Sequence, residues 1–258
     1  LSIFPSTFER TRVKIEDNPV VQLLQEPPVI VDQPEQEPDY NQYTDTFQIA
    51  GWHGYLGSGK STGMFEYSLE VQDINLNELG MDYILYTNLK ILNTEIRCRP
   101  IVFPELVEHT LNAEPFDDQY IIWSFDEMEQ YFDARASAEL KSRIFSYFIY
   151  QVRKRKHHLF YTSPSAYLAD IRLRNETDHS TKCEKRHVDN KKACYSPKCR
   201  RPHYYKYVTI DDIQRKKVGT YREYNPTYFQ NQFDSYDIIK PIDMLSQKTI
   251  ERVMSGNY

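Results

Sequence analysis

The sequence predicts an α/β fold with a mostly parallel central sheet covered by helices. Three observations carry this. Short apolar runs that read as strands alternate with stretches of helical period. One of those runs, Gln119–Phe125 (QYIIWSF), is apolar almost throughout, as a parallel strand covered on both faces should be. The glycines are concentrated between the first strand and the first helix: of eight in 258 residues, five fall in Gly51–Gly63.

In chain order, Thr46–His53 (TFQIAGWH) predicts a strand and Lys60–Val71 a helix, with Met64, Tyr67, Leu69 and Val71 among its apolar positions. Asp82–Asn88 (DYILYTN) predicts a second, buried strand. Pro104–Leu111 opens like a helix, because proline in a first turn removes an N–H that has no partner there anyway. Gln119–Phe125 follows as the third strand. Ala136–Lys154 carries Ile144, Phe145, Phe148, Ile149 and Val152 at helical spacing, and Leu159–Ser163 (LFYTS) predicts a further strand. After Arg174 the pattern breaks. Residues 177–203 read as a basic Cys/His-rich insertion, and Tyr204–Ile210 with Lys217–Tyr224 as a β-hairpin. Four regions result: an acidic arm over 1–45, a core over 46–176, the insertion over 177–203, and a hairpin and tail over 204–258 that complete the domain. The arm holds Pro27, Pro28, Pro34 and Pro38, which block ladder and helix hydrogen bonds and favour extended chain. The tail from Asn225 has no assignable period, and no internal repeat is present.

No run of about 18 apolar residues exists, so no transmembrane helix is expected. Leu1–Pro5 is short and soon followed by charge, so no signal peptide is expected. Four cysteines are too few for a disulfide scaffold at this length, and three of them cluster. These facts exclude a membrane channel, a small secreted scaffold and a wholly disordered chain. The net charge of -5 is unevenly spread. Residues 1–45 hold three basic and nine acidic side chains, whereas residues 151–206 hold fifteen basic and five acidic ones. A basic block in an acidic chain suits contact with a polyanion, or a solvated surface.

The glycine cluster has a definite chemistry. Gly54-Tyr55-Leu56-Gly57-Ser58-Gly59-Lys60-Ser61 matches G-x-x-x-x-G-K-[ST] in full, after a strand and before a helix. Successive loop N–H groups can cradle phosphate oxygens, and the helix start adds partial positive charge. Gly54, Gly57, Ser58 and Gly59 then form the loop. Lys60 bridges the β- and γ-phosphates of ATP, Ser61 ligates Mg²⁺, and Thr62 lies near the α-phosphate. A magnesium-organising acid should end a neighbouring strand, and Asp126 does so after Ile121–Phe125. Glu127, one residue on, suits a general base that polarises the attacking water. Oligomeric ATPases often complete the site with an arginine from the next subunit. Arg153 and Arg174 are the candidates, although cations at a helix C-terminus also satisfy its dipole, and Arg172 or Arg174 can pair with Asp170.

The order of these motifs carries a resemblance. The loop is followed by a strand ending in Thr87-Asn88-Leu89, an apolar strand with Asp126-Glu127, a helix ending in Arg153-Lys154-Arg155, the strand Leu159–Ser163 and Asp170-x-Arg172-Leu173-Arg174. Over about Phe47 to Pro241 the chain resembles the FtsK–HerA class of P-loop ATPases. Within that class it is similar to Zot-like proteins and to packaging ATPases of tailless icosahedral viruses with internal membranes. Phe233-Asp234-Ser235-Tyr236-Asp237 is similar to a short motif past the Zot-like core. The resemblance implies a RecA/ASCE-like P-loop NTPase fold and a homo-oligomeric ring, usually a hexamer, that moves DNA by hydrolysing ATP. It makes Lys60 and Ser61 the phosphate and metal ligands, Asp126 the Mg²⁺ acid, Glu127 the activator of water and Arg153 the trans finger. The family commonly ends the strand that here reads Tyr161-Thr162-Ser163-Pro164 with a γ-phosphate-sensing Gln, a role that falls here to Ser163 or Thr162. A Zot-like protein usually carries a membrane helix after the core, so its absence favours packaging. Packaging implies DNA as partner, capsid or inner-membrane vertex proteins as partners for the 1–45 arm, and a place in the host cytoplasm or at the packaging vertex of the virion. The rival readings are a Zot-like morphogenesis ATPase, a HerA-like cellular DNA pump, and a nucleotide-gated structural protein with little hydrolysis.

Between Arg174 and the hairpin lies Cys183-x3-His187-x6-Cys194-x4-Cys199-x3-His203. Thiolates and imidazoles are good Zn²⁺ ligands, and four of them can fold a loop that lacks a core. The bland reading is reduced thiols in a basic loop. Lys185, Arg186, Lys191, Lys192, Arg200 and Arg201 in the same stretch make it a candidate for contact with DNA phosphates, which suits a motor that must ignore sequence.

Overall fold

A computed structural model describes residues 47–101, 106, 120–130, 140–155, 157–196, 199–223 and 231–238. All of them belong to the unit Pro38–Tyr258. The expected arm, the last part of the tail and, apart from Leu106, the expected helix at Pro104–Leu111 lie outside the described residues.

Strands β1 (Ile49–His53), β2 (Ile84–Thr87), β4 (Cys98–Pro100), β5 (Ile121–Phe125), β6 (His157–Ser163), β7 (His179–His187), β8 (His203–Asp211) and β9 (Lys216–Glu223) form one sheet. Its order is β4-β2-β5-β6-β1-β7-β8-β9. From β4 to β7 every neighbouring pair is parallel. The β7–β8 and β8–β9 pairs are antiparallel. A separate ribbon pairs β3 (Leu89–Ile91) with β10 (Phe233–Ile238). Helix α1 (Lys60–Leu79) follows β1, α2 (Leu140–Val152) precedes β6, and α3 (Ile171–Glu176) joins β6 to β7.

Two apolar layers hold the parallel strands, because successive side chains on a strand face opposite sides. Ile49, Ile121, Trp123, Phe125, Leu159 and Tyr161 meet Phe145, Phe148, Ile149 and Val152 of α2 on one face. Ala50, Trp52, Ile122 and Phe160 meet Met64, Phe65 and Val71 of α1 on the other. Burying one such aromatic or aliphatic side chain is worth about 1.5–3 kcal/mol. The sheet order places β6 between β1, which feeds the loop, and β5, which ends at Asp126. The C-terminal ends of three parallel strands therefore meet at one edge.

Strands β3 and β4 and helix α3 were not expected from the sequence, and two expected stretches came out differently. Strand β6 begins at His157, two residues before Leu159, because both histidines are buried. The indole Nε1 of Trp123 donates to His157 Nδ1 at 3.1 Å, and the Gln48 N–H donates to His158 Nδ1 at 3.3 Å. Burial pushes His158 down to about 3, so it packs as a neutral ring. The second departure is larger. The stretch 177–203, expected as an insertion, begins with β7, a full member of the sheet beside β1. Its sequence HSTKCEKRH buries only Thr181 and Cys183, and no apolar alternation announces it. Backbone pairing on both sides recruits it. The expected hairpin is thereby the outer part of a three-stranded antiparallel wing, and the tail that had no assignable period supplies β10.

Candidate nucleotide site

The loop Gly54–Ser61 leaves β1 and enters α1, with the side chains of Ser58 and Thr62 turned inward. Gly57 and Gly59 have φ of 73° and 87°, a left-handed conformation that side chains disfavour. A Cβ on Gly54 would come within 2.5 Å of the Cys183 carbonyl oxygen, so the loop can lie against β7 only with glycine there. No side chain caps α1, which leaves the helix start open to an anion. The Ser58 N–H donates to the Tyr55 carbonyl at 3.1 Å, and Lys60 Nζ donates to the same oxygen at 3.3 Å. Lys60 is thus folded over the loop.

Asp126 is buried at the adjoining strand end and gathers this edge. Its Oδ1 accepts from Ser61 Oγ at 2.7 Å and from Thr162 Oγ1 at 2.6 Å. Burial raises its pKa, while these two bonds and the nearby Lys60 charge oppose the rise. A buried carboxylate sharing a hydroxyl with the loop fits a hard oxygen-seeking dication such as Mg²⁺, so Ser61 and Asp126 are the residues that would hold it. Glu127 sits at φ 51°, a strained position for a residue with a side chain. Its N–H donates to Thr162 Oγ1 at 2.9 Å, and its carboxylate accepts from Gln130.

Three further residues shape the site. Asn88 holds the backbone of Asp126 from both sides: Oδ1 accepts the Asp126 N–H at 2.7 Å, and Nδ2 donates to the Asp126 carbonyl at 2.8 Å. A polar residue ending an otherwise buried strand was the available signal. His53, at the end of β1, is pushed down to about 4 by burial and then by the Lys60 charge, so it stays neutral beside the loop. Glu129 has its pKa raised by burial and also interacts electrostatically with Glu127, Lys60 and Asp126.

The expected finger and basic residues fall elsewhere. Arg153 donates to the Glu176 carbonyl at 2.8 Å and pairs with Asp178 Oδ1 at 2.5 Å. Asp178 in turn accepts the Ile49 N–H at 2.8 Å, at the start of β1. Five strand residues, roughly 16 Å, separate that edge from the loop. Arg153 therefore stands at the opposite end of the sheet from its own chain's Lys60. Arg172 is bound to Asp170, and Arg174 lies in the last turn of α3. Arg186 is held by Glu184 at 2.5 Å and by the Lys191 carbonyl at 3.1 Å, and Lys185 is half-buried. Lys191, Lys192, Arg200 and Arg201 are exposed at the wing's tip.

The Cys/His set divides. His187, Cys194, Cys199 and His203 bring one ligand atom each to within 4.8 Å of one another. Cys183, expected among them, is excluded: it lies four residues, about 13 Å, back along β7 from His187. Its thiol is buried against the loop helix and Tyr207, and burial raises its pKa strongly.

The loop, the sheet order and the buried acid define an α/β fold in which a P-loop pattern joins the first strand to the first helix. No protein-family model matches the chain, and no curated protein matches it. Among solved structures it is similar to the N-terminal domain of zonular occludens toxin from Neisseria meningitidis, at 13% identity over 73% of this chain and 100% of that one, TM-score 0.45. It is also similar to the genome packaging NTPase B204 from Sulfolobus turreted icosahedral virus 2 in complex with ATP-gammaS, at 11% identity over 69% and 96%, TM-score 0.40. A third is EssC (ATPases 2 and 3) from Geobacillus thermodenitrificans, at 12% identity over 83% of this chain and 45% of that one, TM-score 0.42. Likenesses this distant assign no activity, substrate or residue role to the chain. No helix among the described residues is long and apolar enough to cross a membrane.

Proposed function

We propose that the chain is an ATP-hydrolysing motor that moves DNA, of the genome-packaging kind, and that it works as a homo-oligomeric ring. The observation that carries the hydrolytic part is the joint made by Thr162. One hydroxyl accepts from the Glu127 N–H and donates to Asp126, which is bonded to Ser61 of the loop. In this reading the loop N–H groups and Lys60 bind the triphosphate, and Ser61 and Asp126 hold the cation. Mg²⁺, when bound, neutralises charge on the β- and γ-phosphates. The Glu127 carboxylate accepts the proton of the attacking water, and Asn88 and Thr162 fix the turn from which it projects. Thr162, already bonded to the Asp126 carboxylate and the Glu127 backbone, takes the sensing role at the end of β6. What supports the DNA part is the motif order together with the exposed cations at the tip of the wing. Arg153 serves a neighbouring copy, because within its own chain it lies at the far edge of the sheet. The 1–45 arm, in this proposal, engages capsid or vertex proteins.

The test is turnover with and without DNA. Lys60→Ala should lose nucleotide binding. Glu127→Gln should keep binding and lose turnover by about 100-fold or more, the size expected for removing a general base. Wild-type turnover in Glu127→Gln would overturn the catalytic assignment, and turnover indifferent to DNA would overturn the motor. Arg153→Ala should lower turnover alone and regain part of it when mixed with Glu127→Gln; no recovery at any mixing ratio would remove Arg153 from the site.

A further inference from the structure

The tip of the wing has a built metal site. His187 ends β7 and His203 begins β8, and the two face each other in register with ring centroids 4.6 Å apart. The chain between them turns back at once: the His187 N–H donates to the Lys192 carbonyl at 3.0 Å, and the Cys194 N–H donates to the Lys185 carbonyl at 2.8 Å. That return brings Cys194 close to both rings, and Cys199, whose N–H donates to the Ser196 carbonyl at 3.4 Å, lies with it. All four cysteine thiols are free. Nδ1 of His187 and Nε2 of His203 are enclosed without a hydrogen-bond partner, which is costly for a polar atom unless something binds it. Zinc at ~2.3 Å from sulfur and ~2.0 Å from nitrogen sets tetrahedral donors roughly 3.3–3.8 Å apart, a small contraction from the observed 4.8 Å limit. Two thiolates and two imidazoles are a donor set for zinc rather than for magnesium or calcium.

The same tip grips the nucleotide loop. Tyr55, the second residue of that loop, reaches across to β7. Its hydroxyl accepts the Lys185 N–H at 2.8 Å and lies 2.9 Å from the carbonyl oxygens of Lys185 and Cys194, to one of which it donates. Its ring packs on Tyr195 at 4.6 Å. A residue of the phosphate loop therefore lies within hydrogen-bond distance of the backbone of one metal ligand and packs, with its ring tilted, on the residue after it.

We infer that His187, Cys194, Cys199 and His203 bind one Zn²⁺, and that through Tyr55 this metal fixes the position of the phosphate-binding loop. The metal takes the place of an apolar core at this tip, where Val188 and Tyr195 are exposed. The metal part stands whether or not the chain moves DNA.

Cobalt titration of the full chain, stripped of metal under reducing conditions, tests the site. One equivalent should produce the ligand-field bands of tetrahedral cobalt together with a thiolate charge-transfer band, and Zn²⁺ should displace it. Cys199→Ser and His203→Asn should each lose that spectrum, while Cys183→Ala keeps it. Absence of the tetrahedral spectrum in wild type, its survival in Cys199→Ser and His203→Asn, or a Cys194–Cys199 disulfide in its place would overturn the site. Hydrogen exchange reads the link without any nucleotide. Metal removal should speed exchange at residues 185–196 and also at 54–58 by about two- to tenfold, the worth of one hydrogen bond, and leave 121–125 unchanged. Tyr55→Phe with metal bound should speed exchange at 54–58 and at Lys185, whose N–H loses its acceptor, and leave 187–196 unchanged. If 54–58 is indifferent to both changes, the link is refuted while the metal site stands.

Discussion

Strands β5 and β6 keep every residue buried, whereas β7, longer than either, buries two of its nine. The first two are held by side chains on both faces; the third is held by backbone pairing to β1 and β8 and by what gathers at its far end. The two halves of one sheet thus obtain order from different sources. Apolar burial fixes the parallel half, and the acids and hydroxyls of the site are mounted on that rigid edge. The wing carries few apolar contacts of its own beyond Cys183, Tyr204, Tyr205 and Tyr207, which pack inward, with Tyr207 Oη donating to the Gly59 carbonyl at 3.0 Å. The chemistry therefore sits where packing is densest, and the loop that must accept a ligand is braced from the softer side.

Matched truncations probe this contrast most strongly. Phe160→Ala, in β6 and fully buried, should cost about 3–5 kcal/mol, whereas Ile210→Ala, on β8 and 38% exposed, should cost under about 1 kcal/mol. Denaturant unfolding measures both, and equal losses would show that the wing is packed as firmly as the core. Next in size is the edge itself. Asn88→Ala leaves two buried backbone groups of Asp126 unpaired and should lower ATP turnover about 10- to 100-fold, the range for residues that orient a metal ligand. Arg186→Ala, equally well bonded but in the wing, should leave turnover near wild type. Should both variants turn over alike, the site does not depend on its rigid edge.

A pH profile sharpens the comparison further. His158 sits among the rings of Phe47, Tyr83 and Phe160 with its pKa lowered from 6.5 to about 3 by burial. The unfolded chain takes up a proton below about pH 6.5 that the folded chain refuses. Stability contributed by the neutral ring is therefore present above that pH and lost as pH falls towards about 3. His158→Leu should flatten part of that acid loss in unfolding experiments; an unchanged slope would mean that other groups dominate. The smallest effect should be on DNA binding. Each phosphate contact adds about -0.9 to the slope of log K against log salt, so neutralising Lys191, Lys192, Arg200 and Arg201 together should flatten it by up to about 3.6 units. Arg186→Ala should shift it by less than one unit, because Glu184 already claims that guanidinium. A full unit from Arg186 would mean that its ion pair opens to DNA.

How far the sequence could be read follows the same division. The runs Ile121–Phe125 and Leu159–Ser163 and the motif around Lys60 were legible because burial on both faces demands apolar residues and phosphate binding demands glycines at fixed offsets. Asp126 and Glu127 were legible only with the loop upstream, because an acid pair after a strand by itself more often caps the next helix. His157 and His158 were not, since nothing local tells a neutral buried imidazole from a solvated one. Nor was β7, whose place is decided by partners 129 residues earlier and about 25 later.

The sequence by itself determined that a phosphate-binding loop joins a strand to a helix, that an acid ends a parallel strand, and that thiols and imidazoles cluster in a basic stretch. These are local facts, fixed by spacing and residue type. Tertiary structure alone decided that β6 lies between the loop strand and the acid strand, so that one threonine hydroxyl touches the Asp126 carboxylate and the Glu127 N–H. It also removed Cys183 from the cluster and set Arg153 at the far edge. The overhang of β7 beyond β1, finally, is what lets Tyr55 reach Lys185 and Cys194. The physical reason is common to all: which side chains meet at a sheet edge depends on strand order and register, and those depend on how distant segments share one hydrogen-bonded ladder and two buried faces.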